Sequence, residues 1–528
     1  MKKIRWVFAL TSLLFGIAVT LFFALVYPHH LHFQEQYQLF LFEKSYALEV
    51  LSVPGGLADL IGRFLTQFFL YAWAGATIIA VVLMSIHLLT YLLLRTSSNE
   101  TLTYLLSFIP SLICLCFLCN ENALMSAPVA LLIMLGIAVL VKSIKSFYAR
   151  FALILVSLPV IYLIAGSHYY REPGTFPTLA WASAGVIPLF LLLPKKIRQW
   201  NPRHAIVVYP ILWTVLMIIG GYLVNSRQSQ KQEDIMSYDF MARHEMWNRI
   251  IQKAQQNPPR NQVAVVALNL ALAERGLLLD YMFEYPQNGI AGLLPNFSND
   301  YVSPLVTSEA FYRLGMINTA QCFLFEAQEA IPDFQKSARC YKRLAETNLI
   351  NGAYEVAKKY LYALQHTLFY RKWATETLAL IADEEAVNAH PVYGYLRKMR
   401  CNQDYFFGGN EVREILVRQL ESNPENQIAF EYLEAACLVA KDVESATQYY
   451  SMSEPFGYKV IPSAIQQAML LNWSMNNRET EQFPSYFSPN IVQGFKNFAS
   501  SLQASNGNPA TMQKSFGKTY WSYFYFHK

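Results

Sequence analysis

Hydrophobic and polar positions divide this chain into two dissimilar parts. Before residue 225 the apolar residues come in long unbroken runs, at about 4–27, 64–94, 102–119, 123–141, 147–166, 177–193 and 205–224. Each is long enough to cross ~30 Å of hydrocarbon as a helix rising 1.5 Å per residue, so the pattern predicts about seven spans. After residue 225 the runs shorten and recur with helical spacing, which predicts paired amphipathic helices. The chain is read as all-α, with a transmembrane domain over 1–224, a helical connector over 225–260 and a helical-repeat domain over 261–528.

Charge follows the same division. Residues 1–224 hold 14 Lys and Arg against 7 Asp and Glu, whereas residues 225–528 hold 28 and 30. Neither half is the basic domain that nucleic-acid binding requires. Within the first half the basic residues fall on alternate loops. With the N-terminus in the cytoplasm, eleven of them, including Lys2, Lys3, Arg95, Lys142, Lys195 and Arg203, lie inside, against Lys44, Arg63 and Arg171 outside. Basic residues near span ends are retained in the cytoplasm, so an odd number of spans places the second half outside it. The first span, although Lys2, Lys3 and Arg5 precede it, is too long for a secretory signal and is followed by no small-x-small cleavage site. It is expected to remain as an anchor.

The segment 28–63 is too long for a simple connection and too apolar for a flexible one. It is expected to lie on the membrane surface as one or two short helices through Leu39-Phe40-Leu41-Phe42 and Tyr46-Ala47-Leu48, with Glu43, Lys44 and Glu49 on a wetter face. Pro54-Gly55-Gly56 then breaks the helix ahead of a Phe-rich span whose Gln67 needs a partner.

Candidate chemistry gathers at the outer ends of the spans. His29, His32 and Glu35, with His30 between them, could place two imidazoles and a carboxylate around a divalent ion, although clustered histidines at a membrane boundary also suit water-facing residues. Glu121, His168, Arg171 and Glu172 occupy other outer loops at a corresponding depth. Glu35, between Gln34 and Gln36, is the leading candidate. Cys116-Phe117-Leu118-Cys119 sits with Cys114 in a spanning run, where thiols are ordinary packing. His87, in the second span, suits a helix-to-helix hydrogen bond better than a proton pathway. No phosphate-binding glycine loop, GxSxG or HExxH is present.

A first span, an outer loop of membrane-surface helices with an acidic residue near its start, and a second span after a turn together resemble the opening module of GT-C-fold membrane glycosyltransferases. That resemblance covers about residues 1–95. It implies a polyprenyl-phosphate sugar donor at the outer face, with Glu35 as the catalytic or metal-binding carboxylate and His168, Arg171 or Glu172 assisting. Such enzymes commonly carry an Asp there, and more spans. A second likeness covers nearly the whole chain. Phe33-Gln34-Glu35-Gln36-x-Gln38-Leu39-Phe40, Pro54-Gly55-Gly56-Leu57-Ala58, Phe64-Leu65-x-Gln67-Phe68-Phe69 and Thr519-Tyr520-Trp521 resemble an uncharacterised family of bacterial polytopic membrane proteins with tetratricopeptide-like second halves. This implies the bacterial inner membrane, with the repeat domain in the periplasm.

In the second half, Tyr341, Leu344, Ala345, Gly352 and Ala357 fit one tetratricopeptide-like helix pair in order. Gly315, Ala320, Leu324, Ala327 and Pro332 fit another, and Phe430, Leu433, Ala446 and Tyr450 a third. Stacked pairs make an α-solenoid with a concave surface for a protein or peptide partner. Cys322, Cys340, Cys401 and Cys437 are expected as buried thiols, and the aromatic residues around Tyr520 and Trp521 as packing. The expected function is an envelope scaffold needing no cofactor, with sugar transfer as the alternative and the bilayer as partner in both.

Overall fold

The computed structural model describes residues 2–95, 100–146, 202–298, 302–331, 335–401, 411–477 and 483–527, with Tyr148, Ala149, Ala152, Tyr405, Phe407 and Gly408 besides. All regular structure among the described residues is helical. The first part runs α1 (Lys2–Leu21), α2 (Pro28–Glu35), α3 (Lys44–Leu51), α4 (Gly56–Thr66), α5 (Ala72–Leu94), α6 (Glu100–Leu106), α7 (Phe108–Leu118), α8 (Ser126–Ser143) and α9 (Pro202–Arg227).

Among the described residues five helical stretches are long and apolar enough to cross a membrane: Ile4–Val26, Ala72–Leu94, Glu100–Leu118, Ser126–Ser143 and Ala205–Arg227. The expected spans over 147–166 and 177–193 lie almost wholly outside the described residues. One boundary needs correction. The apolar run from Phe64 does not continue as a single helix: a 3-10 turn over Gln67–Leu70 and an extended Tyr71 separate α4 from α5. Asp59, Arg63 and Gln67, spaced every fourth residue, put a polar stripe along the end of this run. Arg63 pairs with Asp59, and Gln67 donates to the Phe64 carbonyl at 2.9 Å.

Inside this bundle His87 is buried on α5 and both its ring nitrogens are engaged, Nε2 with Ser12 of α1 and Nδ1 with Ser107 ahead of α7, each at 2.9 Å. The residue is a bridge between helices, as a buried polar side chain among apolar neighbours requires.

The surface loop also differs from expectation. Lys44–Leu51 is helical, but Leu39-Phe40-Leu41-Phe42 is not. The Leu39 and Phe42 N–H groups donate to the carbonyls of Lys336 and His366, which relieves the segment of any need for helical hydrogen bonds. At the Pro54-Gly55-Gly56 break Gly55 has φ +87°, and a Cβ on Gly56 would lie 1.9 Å from the Val50 carbonyl oxygen, so α3 and α4 can approach only at glycine.

The chain forms two compact units. The first contains Met1–Asp234 together with Ile331–Tyr341 and Tyr362–Thr375, and the second contains the remainder. In the second unit, Val302–Arg313 packs on Ile317–Glu329, and Gln427–Val439 on Val443–Tyr449. Gly315, at the turn of the first of these pairs, has φ +79°, and a Cβ there would meet the Met399 carbonyl oxygen at 2.7 Å. The small and apolar positions read from the sequence, Ala320, Leu324, Ala327, Leu344, Ala345, Ala357, Phe430, Leu433 and Ala446, are all buried, whereas Tyr450 is only half-buried. No disulfide joins any of the cysteines, and Cys322, expected inside, is exposed. Tyr520 and Trp521 pack as expected, the Trp521 indole N–H donating to the Gln467 carbonyl at 3.0 Å.

Candidate functional site

Glu35 ends α2, a helix made possible by Pro28, whose fixed φ suits a first turn and whose missing N–H is not needed there. The N–H groups of His29 and His30 at that first turn donate to the two carboxylate oxygens of Glu233, at 2.8 and 2.9 Å. A carboxylate at a helix N-terminus meets both free donors and the positive end of the helix dipole.

The polar side chains of α2 and the residues after it point inward rather than to water. His30, Gln34, Glu35, Gln36 and Gln38 are all buried. His30 Nε2 donates to the Leu118 carbonyl at 2.8 Å, and burial pushes its pKa down to about 4, so the ring is neutral at physiological pH. Gln34 donates to the Ala123 carbonyl at 2.8 Å, and the Tyr37 hydroxyl to Asn122 at 3.1 Å. These contacts fasten α2 to the turn between α7 and α8. In that turn burial pushes the Glu121 carboxyl above the usual carboxylate range.

The C-terminal end of α2 meets two segments from far along the chain that belong to the same compact unit. Tyr370 donates its hydroxyl to Glu35 Oε1 at 3.0 Å, and Arg339 Nη1 donates to Gln36 Oε1 at 3.0 Å. Beside them Phe369 packs edge-on against Phe68 and Tyr71, with ring centroids at 5.6 and 5.3 Å. Charge-assisted hydrogen bonds of this kind, held in a buried setting, fix geometry as well as stabilise it.

His29 and His32, three residues apart on α2, have ring centroids 5.8 Å apart, while Glu35 meets Tyr370 and the His32 Nδ1 donates to the Phe69 carbonyl. Among the described residues no three His, Cys, Asp or Glu side chains are arranged to hold a metal ion. His168, Arg171 and Glu172 lie outside the described residues. A groove of about 530 Å³ runs between α7 and α9, lined by Leu112, Cys116, Asn120, Leu216, Gly220 and Arg227 among others, and Glu35 is not part of it.

The sequence singles out Glu35 but not Glu233, Arg339 and Tyr370, which no motif or spacing links to it. The chain also matches little beyond its own kind. Residues 2–169 and 167–527 match the model of one protein family, described as a family of unknown function (DUF6057). No curated protein and no solved structure matches.

Proposed function

Because the chain belongs to DUF6057, a family of unknown function, we propose its role from its own geometry: a polytopic scaffold of the bacterial inner membrane. In this reading the spans, seven in all, anchor the protein. Its second unit is a tetratricopeptide-like α-solenoid that presents a periplasmic surface to protein or peptide partners of the cell envelope.

The observation that carries this reading is the occupation of the Glu35 cluster by the chain itself. Glu35 meets Tyr370, Gln36 meets Arg339, and Glu233 holds the start of α2. A carboxylate serving a bound sugar donor needs a cavity and room for a phosphate, whereas a carboxylate bound to a tyrosine from another part of the chain serves as a clasp. The clasp builds two segments of the second half into the unit that contains the spans. The small residues buried at the helix contacts of the second unit support the solenoid reading, since tetratricopeptide-like pairs place alanines there.

Two experiments test it. A photo-crosslinking residue placed at exposed Val356 or Val460 of the second unit is expected to trap a discrete protein partner in cells, and Glu35→Gln is expected to leave that adduct unchanged. Absence of any adduct from either position, with loss of a sugar-transfer activity on Glu35→Gln, would replace the scaffold by the glycosyltransferase. Orientation is checked separately. A reporter active only outside the cytoplasm should work when fused after Lys528 and fail after Arg95, in keeping with the distribution of basic residues. Cytoplasmic activity after Lys528 would remove the periplasmic placement.

A further inference from the structure

The helices Tyr354–Gln365 and Arg371–Ile381 are joined by a short turn, residues 366–370, that is built into the first unit. Its backbone is held from several sides. Thr367 Oγ1 donates to the Leu364 carbonyl at 2.6 Å and accepts the Tyr370 N–H at 3.2 Å, and the Arg371 guanidinium donates through Nε to the Gln365 carbonyl at 3.0 Å. The His366 carbonyl accepts the Phe42 N–H at 2.7 Å. Phe369 and Tyr370 are fastened inward, to Phe68, Tyr71 and Glu35. Leu368, between these anchored residues, is left outside with 45% of its surface exposed.

The surroundings of Leu368 are those of a membrane boundary. Tyr71 and Trp73, at the head of the span Ala72–Leu94, are 57% and 55% exposed, and Phe42, bonded to the turn through its N–H, is exposed as well. Exposed Tyr and Trp at the end of a spanning helix are the usual occupants of the lipid headgroup region, where an apolar ring and a polar tip are both accommodated. Further along the same helix Val81 and Leu88 are exposed, as lipid-facing residues must be. Leu368 is followed by Phe369, which packs on Tyr71 at the head of that helix. Arg371 stands exposed at the edge of the turn, where a guanidinium can meet lipid phosphate.

We propose that the turn 366–370, although it comes from the second half of the chain, is a membrane-seated element. Leu368 enters the headgroup region of the leaflet that receives Tyr71 and Trp73, and phospholipid is its partner. A protein partner would instead require this surface to stand clear of the bilayer, which its attachment to the head of α5 opposes. The inference rests on reading Ala72–Leu94 as a span, and the experiment includes a position that tests that reading alone.

In a Cys116→Ser, Cys322→Ser, Cys401→Ser background, single nitroxide labels are placed by Leu368→Cys, Val81→Cys and Val460→Cys. The full-length protein is reconstituted in phosphatidylcholine vesicles containing phosphatidylglycerol. The ratio of collision with oxygen, which partitions into lipid, to collision with a water-soluble nickel chelate reports depth. Expected is a ratio at Leu368 several-fold above that at Val460 and below that at Val81. A Leu368 ratio equal to that of Val460, with Val81 in hydrocarbon, overturns the proposal and leaves the span intact. A watery Val81 overturns the span and the proposal together.

Discussion

Ala320→Arg is expected to collapse the melting temperature of the full-length protein in detergent, with a loss of more than about 3 kcal/mol. Ala320 is 0% exposed, on the helix Ile317–Glu329, at a face packed on Val302–Arg313. The neighbouring core is tightly filled: Phe323 stacks on Phe297 at 4.3 Å and on Phe311 at 5.1 Å between ring centroids. A guanidinium there must either push these helices apart or remain charged without water. Cys322→Arg, two positions away on the exposed face of the same helix, supplies the control and should leave melting within about 0.5 kcal/mol of the parent. Equal melting of the two variants would refute the register of the pair.

The second large effect should appear as pH-dependent stability, and with a sign opposite to that of most surface carboxylates. Glu434 lies on the helix Gln427–Val439, is 0% exposed, and has no hydrogen-bond partner for either carboxylate oxygen among the described residues. Burial therefore holds its pKa well above the ordinary carboxylate value. Three positions earlier, burial raises Glu431 to about 7 even though the Tyr458 hydroxyl and the Gln427 amide both donate to it. An ionised Glu434 would act on the Cys437 thiol and the Tyr450 hydroxyl, both of which are already pushed up chiefly by burial.

The folded chain keeps protons on these groups that the unfolded chain releases near pH 4.5. Their contribution is complete below that pH and falls as pH rises, for Glu431 until about pH 7 and for Glu434 as the pH climbs well past the ordinary carboxylate range. Each group removes about 1.4 kcal/mol per pH unit within its window. Glu434→Met, which keeps much of the volume and removes the polar oxygens, should raise stability at pH 8 by about 3 kcal/mol and flatten the pH dependence by one proton. It should change little at pH 4. Thermal melting of both proteins between pH 4 and pH 8 measures this directly, and an undiminished pH slope in the variant would assign the titration to other groups.

Local pattern along the chain is enough to place the long apolar helices and the turns between many of the shorter ones. Long uncharged runs can be satisfied only by helices whose backbone bonds close internally, so five long apolar helices fall on the runs of the hydrophobic pattern, the second of them shortened to Ala72–Leu94. The alanine and leucine positions of the second half are buried where helical periodicity put them, and Gly315 and Gly352 take the left-handed turns their positions demand. Period, apolar face and turn chemistry are local properties, and a sequence carries local properties openly.

Tertiary structure decided what depends on contacts between distant residues. Glu35 and Tyr370 lie 335 positions apart and Gln36 and Arg339 lie 303 apart, so no spacing rule could pair them. Leu39 to Phe42 is not helical where the carbonyls of Lys336 and His366 accept the Leu39 and Phe42 N–H groups, although the pattern there reads as an amphipathic helix. His29, His32 and Glu35 carry the chemistry for a metal at close spacing, and it is the packing of α2 that brings His32 to the Phe69 carbonyl and Glu35 to Tyr370. The burial of Glu434 was equally invisible, because a glutamate on a helix reads as solvated until its neighbours close over every face. Charge, residue type and periodicity are written along the chain; which polar group finds which partner is settled only when the helices pack.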